Sequence, residues 1–154
     1  MRFPIVSGKN LLRENKQLPG DFEGILNVIL IAFEQYQQYD VETWLPVLSD
    51  LESRFPGLQH YELPTISSRG RLAQWWIDEA MRAGIPNAEI REHTITLYLD
   101  KTAFREALEI DNERLIVVLL LDSQGNILWR CRGRWDAENG QMLQDQIQEH
   151  FAKL

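Results

Sequence analysis

Residues 25–33, ILNVILIAF, are mostly apolar and rich in β-branched side chains, and they predict a strand buried on both faces. A polar loop rich in glutamine and tyrosine follows. Val41, Trp44, Leu45, Leu48, Leu51 and Phe55 then recur at helical spacing, and Phe55-Pro56-Gly57 stops that helix by removing a donor and offering a turn. Residues 60–63 predict a short second strand closed by Pro64. Ser67 or Ser68 is placed to cap a helix carrying Leu72, Trp75, Trp76, Ala80 and Ala83 at helical spacing, ended by Gly84 and Pro86. Residues 94–99, TITLYL, predict a third strand. Asp100 then caps a short helix over 101–108, with Phe104 and Leu108 inward. Residues 115–121 predict a fourth strand. Asp122 to Asn126 carries hairpin chemistry, with Gly125 free to take positive φ, and 127–132 returns as a fifth, antiparallel strand. Asp136 caps the last helix, which is expected to bury Met142, Leu143, Ile147, Phe151 and Leu154. Residues 3–22 mix Pro, Gly and polar positions with Phe3, Ile5, Val6, Leu11, Leu12 and Leu18, and read as an edge hairpin or extended arm.

Strands alternating with helices call for mostly parallel pairing, and the terminal hairpin adds an antiparallel edge. The expected fold is a three-layer α/β sandwich, a mixed and mostly parallel sheet with a closing helix. At 154 residues it is expected to be one domain spanning 1–154. Neither apolar run approaches the ~20 residues of a membrane span. The N-terminus has no apolar signal core. A soluble, cytoplasmic protein is the expectation.

Charge and chemistry then narrow the function. Sixteen lysines and arginines against 23 aspartates and glutamates leave a net charge of −7, which argues against a general nucleic-acid binder. One cysteine, Cys131, cannot form an internal disulfide and suits a reducing compartment. Strand alternation puts Arg130 and Arg132 on the face opposite Cys131, so their charge does not activate it. His60, His93 and His150 stand apart without metal-ligand spacing, and no nucleophile elbow or phosphate loop occurs. Glu42, Glu52, Asp78 and Glu79 lie mainly on helix faces opposite the apolar stripe. No metal or cofactor is expected. Trp75 and Trp76 are adjacent and point about 100° apart, so both bury only if their helix is clasped on two sides.

The element order, ending in a ββα unit, resembles the thioredoxin fold in its peroxiredoxin-like form. Three passages carry the likeness: Asn27 to Phe33 running into a polar loop and helix; Leu99-Asp100 followed by Phe104 to Ile110; and Leu119-Leu120-Leu121-Asp122 with Gly125 and Ile127, which is similar to an FxID-xxG-xI hairpin. A narrower likeness is to the thioredoxin-like assembly factor of the mitochondrial ATP synthase and its bacterial relatives. It rests on Leu121-Asp122, Ile127-Leu128-Trp129 and Gly133, and on Phe3-Pro4 followed by Gly8, Asn10 and Leu11.

By that resemblance the Cys-x-x-Cys positions fall near Gln38-Tyr39-Asp40-Val41, where no thiol stands. The buried carboxylate that assists disulfide exchange falls at Ala32. The cis-proline falls near Ile116, with Arg114 two residues short of it. The implied protein keeps the fold without the redox chemistry. It binds a polypeptide client, an ATP synthase membrane subunit in the narrower likeness, without inserting in the membrane itself. The groove is expected to be lined by Tyr36, Gln38, Tyr39, Asp40 and Trp44, with 112–116, including Ile116, opposite. Two alternatives stay open: a single-cysteine peroxidase or thiol oxidoreductase using Cys131, and a small-molecule-binding module on the same fold. The tyrosines also have a plainer reading, packing their loop onto the sheet.

Overall fold

The computed structural model describes residues 1–67 and 92–154. The expected helix carrying Trp75 and Trp76 lies outside them. At the centre stands β3 (Leu26–Ala32), every residue of it buried, as its mostly apolar sequence demands. On one side it pairs in parallel with β4 (Leu58–Ile66), Leu26 opposite Leu58. On the other it pairs antiparallel with β6 (Val117–Asp122), Leu26 opposite Asp122. β7 (Ile127–Arg132) closes that edge as the antiparallel return of the hairpin, and Gly125 in its turn takes φ +84°. The N-terminal segment forms the expected edge hairpin, β1 (Val6–Asn10) and β2 (Asn15–Leu18), whose first strand pairs antiparallel with β5 (Ile95–Tyr98).

Among the described residues the sheet order is β2-β1-β5-β4-β3-β6-β7. Only β3–β4 and β4–β5 pair in parallel, so the sheet is mixed but not mostly parallel. The reason is a length mismatch. The helix before β6, α3 (Lys101–Ala107), has seven residues and rises about 10 Å at about 1.5 Å each. The seven residues of β3 span about 23 Å at about 3.3 Å each. So short a helix does not return the chain to the far end of the sheet, and β6 re-enters from the end where β5 left.

The expected helix from Val41 to Phe55 is two pieces, α1 (Gln38–Glu42) and α2 (Leu45–Arg54). Pro46 in the first turn of α2 has no N–H to give, and its ring would clash with the carbonyl four residues back. β4 is longer than expected and runs through Pro64. Its pairing with β5 is split into Glu62 opposite Thr94 and Thr65 opposite Leu97, and the proline falls in the gap. The last helix, α4 (Ala137–Ala152), buries Leu143 and Ile147 but leaves Met142 exposed, and it ends before Leu154, which is exposed too, both contrary to expectation. Met142 sits about 100° round the helix from Leu143. Both expected caps are made: the Asp100 carboxylate accepts from the N–H groups of Thr102 and Ala103, and that of Asp136 from Asn139.

Two apolar layers flank the sheet. One joins Ile29, Ile31, Val117, Leu119 and Leu121 to Phe104 and Leu108 around α3 and to Phe3 and Phe22 from the N-terminal arm. The other joins Leu30, Val118 and Leu120 to Val41, Trp44, Leu48 and Leu51 of α1 and α2 and to Leu143 and Ile147 of α4. Helices on both faces of a mixed sheet make the three-layer sandwich. Among the described residues no helix is long and apolar enough to cross a membrane.

Candidate functional site

At the C-terminal end of β3 the chain turns through a 3₁₀ segment, Gln35–Gln37, into α1. Three glutamines follow one another here with one gap, and their fates differ because of where each side chain points. Gln37 turns inward and is fully buried. Its Oε1 accepts from the backbone N–H of Phe33 (2.8 Å) and Glu34 (3.2 Å), and its Nε2 donates to the Glu113 carbonyl (2.6 Å). One side chain thus ties the loop after β3 to the loop before β6. Lys101 repeats the bridge, donating to the Phe33 carbonyl (2.7 Å) and to the Glu113 carboxylate (3.2 Å), which also accepts from Arg105 (3.0 Å). From β7, Arg132 donates to the carbonyls of Asn112 (2.8 Å) and Leu115 (3.2 Å).

The expected groove residues divide in two. Tyr36 and Tyr39 are exposed, by 59% and 76%, with Gln38 and Asp40 half-buried beside them. Trp44 and Ile116 contribute no surface: both are fully buried and support the loops from below. The Trp44 indole N–H donates to the Gly133 carbonyl at 3.0 Å, and the Ile116 carbonyl accepts from Gly133 N–H at 2.9 Å. Of residues 112–116, Glu113 is tied to the tyrosine loop through Gln37, and Leu115 is exposed.

A buried carboxylate does lie under this loop, although not at Ala32. Glu62, on β4, accepts from Gln38 Nε2 at 3.0 Å and bonds the Thr94 side chain. Burial raises its pKa above the ordinary value, outweighing the hydrogen bond from Gln38 and the nearby His60, both of which favour the charged form. Sequence alternation hid it, because Glu62 stands between the inward Tyr61 and Leu63 on a strand that proves buried on both faces.

Cys131 is half-buried against the α4 side of the sheet. Arg130 and Arg132 reach the Leu108 and Asn112 carbonyls on the other side, as alternation requires. Burial, with a smaller contribution from the Asp136 carboxylate, pushes the thiol up to about 12. Such a group carries little thiolate near neutrality. His60 contacts the Glu52 carboxylate, so Glu52 is less a free surface acid than its helical position implies, and His93 stacks on Tyr61 with ring centres 4.5 Å apart. Among the described residues no group of three or more His, Cys, Asp or Glu is placed to hold a metal ion. A shallow cavity of about 400 Å³ opens at the opposite end of the sheet between Arg2, Ile5, Pro19 and Gln124, and no titratable set converges there.

Solved structures share this architecture. A thiol:disulfide interchange protein from Bacteroides sp. superposes with a TM-score of 0.64 at 16% identity, over 96% of this chain and 86% of that one. A putative electron transfer protein from Aquifex aeolicus gives 0.66 at 10% identity, over 93% of each chain. The copper-bound ScoI of Arabidopsis thaliana gives 0.63 at 12% identity, over 97% of this chain and 99% of that one. At such identities these likenesses establish the thioredoxin-like fold alone. No curated protein sequence matches the chain significantly. The sequence model of the ATP10 protein family, however, matches residues 1–149, nearly the whole length. The chain belongs to the ATP10 protein family, on a thioredoxin-like fold.

Proposed function

We propose that this protein is a redox-silent assembly factor that engages a polypeptide client during ATP synthase assembly, a membrane subunit being the client. Family membership supports the destination. The observation that carries the mechanism is chemical: the chain's one cysteine lies on β7 with a raised pKa, away from the loop after β3, where by the thioredoxin resemblance the thiol positions fall near Gln38, Tyr39, Asp40 and Val41. Without a thiolate at the loop there is no nucleophile for disulfide exchange. What the loop offers instead is contact surface: Tyr36 and Tyr39, exposed on a turn held rigidly by Gln37. Such a protein works from the cytoplasm without entering the bilayer.

Two measurements test this together. Affinity purification from the native host is expected to recover ATP synthase subunits with the wild type and to lose them with Tyr36→Ala/Tyr39→Ala. Insulin-disulfide reduction and hydroperoxide consumption are expected to match buffer for both wild type and Cys131→Ser. Cysteine-dependent turnover by the wild type contradicts the reading and favours a single-cysteine peroxidase.

A further inference from the structure

We propose that Glu62 is a proton-operated clasp: with its carboxyl protonated it holds the start of α1 onto β4 through Gln38, and on losing the proton it loosens that contact. The device sets how firmly the loop of Tyr36 and Tyr39 is presented, and it belongs to the free protein, whatever that loop binds.

The geometry comes first. Glu62 stands opposite Leu30 in the β3–β4 register, on the face of the sheet that packs against α1 and α2, and is only 8% exposed. Its Oε1 accepts from Gln38 Nε2 at 3.0 Å, and its carboxyl also bonds the Thr94 side chain. Three of its surroundings are held independently of the carboxyl. β3 is held by the ladder. Residues 93–94 are held by the Glu62 N–H, which donates to the His93 carbonyl at 3.0 Å, and by the His93 ring stacked on Tyr61. The loop after β3 is tied on its far side by Gln37, which reaches the Glu113 carbonyl before β6 and carries no titrating group. On the β4 side the corresponding tie among the described residues is Gln38 to Glu62, at the start of a helix of five residues. That contact is the one free to yield.

Charge decides when it yields. Of the groups facing the carboxyl, His60 on β4 favours the ionised form, and it also meets the Glu52 carboxylate of α2. Glu42 of α1 opposes ionisation, β3 offers only the apolar Leu30, and the 93–94 segment offers the Thr94 side chain. Burial outweighs the hydrogen bonds from Gln38 and Thr94 and the charge of His60, so the pKa is raised above 4.5. A loosened contact lets water reach the carboxylate, which removes the burial penalty. The hold is therefore complete below 4.5 and is lost as pH rises through the folded value. Opening grows by about tenfold per pH unit within that window and then levels off.

The test is amide exchange on the full chain from about pH 5 to about pH 9, corrected for the intrinsic pH dependence of exchange. It follows the backbone N–H of Gln38, which bonds the Gln35 and Tyr36 carbonyls, together with its side-chain amide. The carbon shift of the Glu62 carboxyl reports its titration. The opening constant at Gln38 is expected to rise about tenfold or more and to inflect with the Glu62 carboxyl. Phe33 and Glu34 amides, held by Gln37, are expected to stay constant. Glu62→Gln is expected to remove the pH dependence and stay closed. Glu42→Gln, at an exposed position, is expected to move the inflection to lower pH. Opening at Gln38 that is independent of pH, or that persists in Glu62→Gln, overturns the proposal. So does loosening shared equally by Phe33 and Glu34, or an inflection unmoved or raised by Glu42→Gln. No client enters the experiment, so failure of the assembly reading leaves its outcome unchanged.

Discussion

Gln37→Leu is the most informative single perturbation, because the shape is nearly kept while three hydrogen bonds are lost. The buried amide bridges Phe33 N–H, Glu34 N–H and the Glu113 carbonyl. Leucine fills the space but leaves these groups without a partner where water does not reach. Each buried orphan costs about 1–3 kcal/mol. The Glu34 bond is the longest, so the main loss is the other two, roughly 2–6 kcal/mol in sum. In a domain of about 150 residues each kcal/mol moves the melting temperature by about 2–4 °C, so a fall on the order of 10 °C is expected. Thermal melting by circular dichroism measures it, and hydrogen exchange localises it: Phe33 and Glu34 amides are expected to lose protection while those of β6 keep theirs. A melting temperature within about 2 °C of wild type would refute the claim that Gln37 joins the two loops.

Other expectations follow from the same structure. Val118→Asp and Leu48→Asp each place an unpaired charge at a fully buried position, at a cost of about 3–5 kcal/mol against a total stability of about 5–15; near-native cooperative melting of both would refute the two-layer core. Glu62 has a raised pKa, so its contribution to stability is complete below its ordinary value of 4.5 and is lost as pH rises through the folded value. Glu62→Gln keeps the hydrogen-bond acceptor without the charge. It is expected to melt above wild type at about pH 8, the gap closing towards about pH 4, and parallel curves would show that folding does not raise the pKa of Glu62. With its thiol pushed up to about 12, Cys131 is expected to react with iodoacetamide at least about a hundredfold more slowly in the native protein than in urea, and equal rates would show an accessible thiolate.

The fold was legible where local chemistry acts alone. The mostly apolar run of β3, the capping aspartates Asp100 and Asp136 and the Gly125 turn all depend on residues within a few positions of one another. Strand direction was not, since it turns on whether a seven-residue helix spans the sheet, a property of the assembled layers. The same holds at the site. Exposure of Tyr36 and Tyr39 follows from a polar loop, whereas Trp44 is a buried anchor because Gly133, 89 residues on, presents its carbonyl to the indole. Nothing in the run Gln35 to Gln38 distinguishes the glutamine that turns inward. Nor does Arg132, placed by alternation on the face opposite Cys131, announce that it fastens the loop 112–115 before β6.

The most direct test of a redox-silent assembly factor is the amount of assembled ATP synthase in the native host after deletion of this gene and complementation with variants, resolved on native gels. The account predicts a deficit on deletion, full restoration by wild type and by Cys131→Ser, and failure of Tyr36→Ala/Tyr39→Ala to restore despite normal abundance of that variant. A normal synthase level in the deletion strain, or a requirement for Cys131, would contradict it.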